Sequence, residues 1–164
     1  MLNGDSQAGF SYLLLLAWLS VMALLLMRSQ DYRQTAWRQE QEAQLLFAGD
    51  QIRQAIRQYR TSPAGNGCFP TRFSQLLSDN RTTPPRALLR QQYAAPLSPR
   101  GEWGMLYDKK QRWIGVYSRG MGRPLRQEGF SGDNSEFKHA ASYAGWTFRV
   151  EADDSAPLPE RCQP

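Results

Sequence analysis

Two cysteines, a single histidine and a surplus of arginine carry most of the chemical potential of this 164-residue chain. Cys68 and Cys162 stand far apart, and no short Cys spacing accompanies them, so they do not read as part of a metal site. Two readings stay open: one disulfide, which an oxidising compartment would permit, or two free thiols that never meet. His139 stands between Lys138 and Ala140 with no motif around it, and reads as a solvated or hydrogen-bonded side chain. Ser131-Gly132-Asp133-Asn134-Ser135-Glu136 has enough oxygen to suggest Ca²⁺ ligands, but only by composition; a solvated loop is the plainer expectation. Gly120-Met121-Gly122-Arg123-Pro124 lacks the spacing and the flanking helix of a phosphate loop and reads as a turn. No nucleophile stands with a base in any known pattern. The expectation is a chain that is not an enzyme and has no catalytic, cofactor or metal residues.

The net charge is +5, and 17 of the 20 basic residues are arginine. Arg53, Arg57, Arg60, Arg72, Arg81, Arg86 and Arg90 gather with only Asp79 opposing them in sequence. Arg53, Arg57 and Arg60 share one face of a helix by their spacing. Such a basic face suits nucleic-acid phosphates, anionic lipid headgroups or an acidic neighbouring subunit. A solvated, subunit-pairing face is the expectation; DNA is the lesser alternative.

These residues have to be positioned by a chain with a strongly segregated composition. From Phe10 to Met27 every residue is apolar except Ser11, Tyr12 and Ser20, whereas Arg28 to Glu42 is almost wholly polar. About 18 helical residues rise roughly 27 Å, just enough for a hydrocarbon core of roughly 30 Å. A cleaved secretory signal would need a basic start and a small-x-small site after the apolar run. The segment 1–9 has no Lys or Arg and carries Asp5, and Arg28-Ser29-Gln30-Asp31 is no such site. A core helix apolar on every face could not be buried by so small a domain. A membrane span over 10–27 is the reading that remains.

No proline interrupts the chain from Phe10 to Arg60. Leu45, Ala48, Ile52, Ala55, Ile56 and Tyr59 recur at spacings of three and four, so the helix continues through 28–61 and ends amphipathic. Thr61-Ser62-Pro63-Ala64-Gly65 stops it. Residues 62–164 form the globular part. Phe73–Leu77 and Arg86–Tyr93 suggest short helical turns; Trp103–Tyr107, Arg112–Ser118 and Tyr143–Val150 suggest strands. The expected fold is α+β: one long N-terminal helix packed on a small antiparallel sheet.

Gly9-Phe10-Ser11-Tyr12-Leu13-Leu14, behind a nine-residue leader, resembles the N-terminal signal of type IV pilins and type II secretion pseudopilins. Leu46-Phe47-Ala48-Gly49-Asp50-Gln51-Ile52-Arg53, Glu102-Trp103-Gly104, Gly115-Val116-Tyr117-Ser118 and Tyr143-Ala144-Gly145-Trp146-Thr147-Phe148 extend the resemblance to a pseudopilin-like branch. The resemblance implies cleavage between Gly9 and Phe10 by a prepilin peptidase and N-methylation of Phe10. It also implies assembly with other pilin or pseudopilin subunits on an inner-membrane platform, with the domain in the periplasm. Some major members bind calcium in a late loop. Two positions depart from the family. Its usual glutamate at the fifth mature residue is Leu14 here, which implies a minor or tip subunit. The leader lacks a basic residue while Arg28, Arg33 and Arg38 follow the span, so the positive-inside rule points the other way. The alternative expectation is a membrane-anchored binding module that never polymerises, binding DNA or an acidic partner.

Overall fold

A computed structural model describes residues 6–151 and 154–162, with the side chains of 6–9 and 28–31 left out; of the expected leader, residues 1–5 lie outside the described residues. Helix α1 runs over Ser6–Thr61. It passes through two compact units, Met1–Gln39 and Glu40–Pro164. The absence of proline and the supply of Leu, Ala, Gln, Arg and Glu favour so long an uninterrupted helix. It ends where Ser62 donates its amide to Gln58 O at 2.9 Å and Pro63 follows, opening a short 3-10 turn.

The second unit is α+β. Its sheet has three antiparallel strands in the order β1 (Trp103–Tyr107), β2 (Trp113–Ser118) and β3 (Thr147–Arg149). Asp108 makes the β1–β2 turn: its Oδ1 accepts the amides of Lys110 and Arg112, both at 2.9 Å, which is how an aspartate closes a turn from its own side chain. Gly115 is required by close approach, since a Cβ there would lie 2.2 Å from the carbonyl oxygen of Phe148 on the paired strand.

The helix stripe Leu45, Ala48, Ile52, Ala55, Ile56 and Tyr59 is buried throughout. Leu45, Ile52 and Ile56, fully buried, contribute about 1.5–3 kcal/mol each. Their partners in the core are mainly aromatic. Phe130 and Phe137 lie 5.5 and 5.8 Å from Trp146, and Tyr143 stands edge-on to it at 5.5 Å. Phe148 is fully buried, with Phe137 at 5.1 Å and Trp103 at 6.0 Å.

Two sequence expectations are corrected. Arg86–Tyr93 is not a helical turn. Arg86 forms an isolated bridge with Asp79, and the amides of Leu88 and Leu89 both donate to Leu76 O, at 3.0 and 2.8 Å. These bonds tie the segment to the preceding helix α2 (Phe73–Leu77) and to Asp79 instead of to itself. The last strand is also shorter than expected: Tyr143–Gly145 is a 3-10 turn that carries buried Tyr143 into the core.

Candidate functional site

The apolar segment Phe10–Met27 is the first candidate. Leu13, Leu14, Leu15 and Leu16 are successive residues that together look to every side of the helix, and all are exposed. The large apolar residues from Phe10 to Met27 are all between 40 and 69% accessible. Within this unit no face of the segment packs on protein. Ser20 donates its hydroxyl to Leu16 O at 2.8 Å, so this polar group is satisfied by the helix itself. Among the described residues this is the one helix long and apolar enough to cross a membrane. Phe10 and Leu14, singled out by the sequence, both lie on it with exposed side chains.

Of the expected solvated basic face, Arg57 is exposed and Arg60 half-buried, and Arg53 alone departs from it. Arg53 is only 5% exposed. Its guanidinium pairs with Asp50, donates to Asp133 O at 3.0 Å and to Asn134 Oδ1 at 2.9 Å, and lies 5.9 Å from the Phe148 ring. Arg57 meets Asp133 Oδ2 at 2.6 Å, and that hydrogen bond, outweighing burial, holds the Asp133 carboxyl below the usual carboxylate range. Arg60 donates to Glu151 O at 2.7 Å and lies over Phe69 at 5.2 Å. Asp79 is therefore not the only acid opposing the cluster. Asp133 arrives from a loop about 80 residues downstream, which spacing along the helix does not reveal.

The same contacts bear on the oxygen-rich loop 131–136. Asp133 and Asn134 face Arg53 and Arg57, and Glu136 takes Arg149 at 2.7 Å. The cations this loop meets are guanidinium groups. Among the described residues no three His, Cys, Asp or Glu side chains converge as metal ligands. An open groove of about 820 Å³ beside the loop is lined by Arg57, Arg60 and Arg149 together with Asp133, Glu136 and Glu151. With both signs of charge along its walls, it presents no single-sign field.

Two further arginines are internal. Arg81 grips Asp79 through both carboxylate oxygens, at 2.8 and 2.7 Å, and stacks 3.3 Å from the Tyr59 ring centre. That grip lowers the Asp79 pKa, while burial raises that of Tyr59. Arg112 donates to Asp108 Oδ2 at 2.6 Å and to Ala156 O at 2.7 Å. Burial alone would raise the Asp108 pKa, but the Arg112 amide and guanidinium and the Lys110 amide bring it down.

The Cys68 and Cys162 sulfurs are bonded, with Cα atoms 5.7 Å apart, across 94 residues of sequence. The tail they hold is also tied by Arg112 to Ala156 O and by Lys110 to Asp154 Oδ1 at 3.1 Å. His139 is exposed and joins none of these clusters; its amide donates to Gln127 O at 3.2 Å.

Glu42 is the residue that sequence reasoning missed. It is 3% exposed, and its described partners are neutral donors. Its carboxylate accepts the amides of Leu125 and Arg126, the latter at 3.1 Å, and the hydroxyl of Tyr143 at 2.6 Å. Three neutral donors therefore pin an irregular glycine-containing loop to α1. The sequence signal was present: Glu42 lies three residues before Leu45, on the stripe that continues through Ile52, Ile56 and Tyr59. A carboxylate on a buried stripe has to find donors elsewhere in the fold.

Comparison of the whole chain with protein-family models, curated proteins and solved structures finds no match.

Proposed function

We propose that the chain is a pilin-like structural subunit, of the pseudopilin kind, serving a type II secretion or type IV pilus system as a minor or tip subunit. The observation that carries this reading is the Phe10–Met27 helix, apolar and exposed on every side directly after the Gly9-Phe10 pair. A helix without a protein-facing side needs an apolar surrounding, first lipid and then a bundle of equivalent helices. The small disulfide-closed domain would stand in the periplasm and decorate the outside of that bundle, and the enclosing work would be mechanical. Prepilin peptidase and the inner-membrane assembly platform are the partners this reading requires.

The N-terminus of the mature protein tests the reading. Intact mass of membrane-extracted protein should place N-methylated Phe10 first, and Gly9→Val should leave the leader attached. A chain that still begins at Met1 in a host with active prepilin peptidase would remove the pilin assignment. Leu14 favours one second reading, since without a carboxylate there the family's pairing with a neighbour's amine is missing. In that reading the chain is an anchored binding module that never polymerises. Its protein would be absent from sheared filaments although correctly inserted.

A further inference from the structure

The positive charge of the chain is concentrated in one stretch of the second unit. Residues 72–100 hold five arginines against one aspartate, with neither lysine nor glutamate, a net +4 where the whole sequence has +5. The aspartate, Asp79, is taken by Arg81. The other four arginines, Arg72, Arg86, Arg90 and Arg100, are exposed, and among the described residues none of them meets a carboxylate. Exposed arginines elsewhere in the unit are met: Arg57 by Asp133, Arg119 by Glu102 and Arg149 by Glu136. The surface beside the unmet ones is aromatic. Phe47 is 57% exposed and stands edge-on to Tyr93, with ring centres 5.8 Å apart. Tyr93 and Arg100 share an open groove of about 490 Å³ with Gln92, Glu102 and Trp103. The backbone under these side chains is fixed. Asp79 and Arg86 exchange amide bonds at 2.8 and 3.2 Å, the Ala95 amide donates to Gly101 O at 2.8 Å, and Trp103 Nε1 donates to Tyr93 O at 2.9 Å. Groups held in this way need little further ordering when a partner binds.

We propose that the face from Arg86 to Arg100, with Phe47 beside it, docks a partner protein that presents carboxylate side chains around an apolar or aromatic anchor. The guanidinium fork matches a carboxylate through two parallel hydrogen bonds, and no carboxylate of this chain fills that role at Arg86, Arg90 or Arg100. Arginine together with exposed aromatic rings, and no lysine, is also the composition enriched at the centre of protein interfaces. Glu102 separates this occupant from a nucleic acid. Its carboxylate stands on the groove wall, where it opposes a phosphate backbone whose charge recurs at every nucleotide. A protein can instead set its acids at Arg90 and Arg100 and a hydrogen-bond donor at Glu102. The inference concerns the second unit alone and does not depend on the chain being a pilin-like subunit.

The test uses the full, disulfide-bonded chain in neutral detergent and a fluorescein-labelled peptide of glutamates around a central tryptophan, with binding read by fluorescence anisotropy. The peptide should bind saturably, and more weakly as salt is raised. Arg90→Glu and Arg100→Glu should each weaken it about fivefold. Phe47→Ala should weaken it by a similar factor, but should leave unchanged the binding of a peptide with serine in place of the tryptophan. Near-UV circular dichroism of each variant checks that the fold is intact. Arg149→Glu makes the same change of charge away from this face and should alter the affinity less than about twofold. An equal loss with Arg149→Glu, or no saturable binding, overturns the proposal. An oligothymidylate of the same net charge that binds more tightly than the peptide overturns it in favour of a nucleic acid. Self-association of the free chain that Arg90→Glu abolishes overturns it in favour of a second copy. Each of these failures leaves the N-terminal mass of the mature protein, and the reading drawn from it, untouched.

Discussion

Alanine at Gly49 should destabilise the domain, although the same change at an ordinary helix site stabilises by about 1 kcal/mol. A Cβ at Gly49 would lie 2.5 Å from Cγ, Cδ2 and Cε2 of Phe148. Carbon atoms at rest are about 3.5–4.0 Å apart, so the ring or the helix must withdraw by about 1 Å or more. Phe148 has nowhere to go, being fully buried with Phe137, Trp103 and the Arg53 guanidinium around it. Overpacking of this kind costs about 1–3 kcal/mol, and confinement on several sides points to the upper end. Subtracting the helix gain leaves a net loss of about 2 kcal/mol. Urea unfolding of the full chain in detergent, followed by near-UV circular dichroism of the core aromatics, should show the midpoint fall by about 1 M. Phe148→Leu in the Gly49→Ala background should recover part of that loss, with a coupling of at least about 0.5 kcal/mol. If Gly49→Ala is as stable as the parent, or more so, the close approach of α1 to the sheet is refuted.

Asp79, Asp108 and Asp133 are all held below the ordinary carboxylate value, so their folded pKa values lie beneath their unfolded ones. Their stabilisation is complete above the unfolded value of about 3.9 and is lost as pH falls through the folded values. The urea midpoint should be flat from about pH 7 to 5 and drop below about pH 4. Asp79→Asn should flatten that drop, and a midpoint that rises on acidification would refute the assignment. Reduction, or Cys162→Ser, should lower the midpoint by up to about 4.7 kcal/mol equivalent, the chain-entropy figure for a loop of about 100 residues. It should also open the tail after Glu151 to limited proteolysis, and an unfolding midpoint indifferent to reductant would count against the bond. If the chain caps a filament, Leu14→Glu places an unpaired carboxylate in the span at a cost of about 2.5–3.5 kcal/mol. The ratio of filament-associated to membrane-retained protein should then fall with cleavage at Gly9 unchanged, and an unchanged or higher ratio would indicate an ordinary filament position.

What could be read from the sequence was whatever is written locally. The buried stripe Leu45 to Tyr59, the stop at Pro63 and the strand pair around Asp108 follow from spacing and turn chemistry between near neighbours. The arginines could not be read this way, because the partner of each lies elsewhere in the fold. Helical spacing correctly places Arg53 and Arg57 near one another, but Asp133 and Asn134 decide that Arg53 is internal, and they come from a loop far along the chain. Arg86–Tyr93 was misread for the same reason: its composition is helical, but the Leu88 and Leu89 amides bond Leu76 O on another element. Glu42 was legible in principle, as a carboxylate on an apolar stripe, but its donors are backbone amides that no residue type announces.

The two units satisfy their side chains in opposite ways, and this narrows where function can lie. In the second unit, charges that would attract a partner are largely met from within: Arg53 by Asp50 and Asn134, Arg57 by Asp133, Arg81 by Asp79, Arg112 by Asp108. Removing one member of the buried Arg81–Asp79 or Arg112–Asp108 pair would strand a charge, a loss of about 3–5 kcal/mol, so these two pairs are committed to holding their loops. In the first unit Ser20 bonds its own helix, while the apolar side chains of Phe10–Met27 stay exposed. The Phe10–Met27 side chains reach their stable state only in a surrounding that the chain itself does not provide. Arginine content alone therefore misdirects attention toward the domain's interior locks. The apolar side chains at 10–27 are the largest set that the described residues leave without a packed partner, and they are where a partner or a solvent other than water has most to gain.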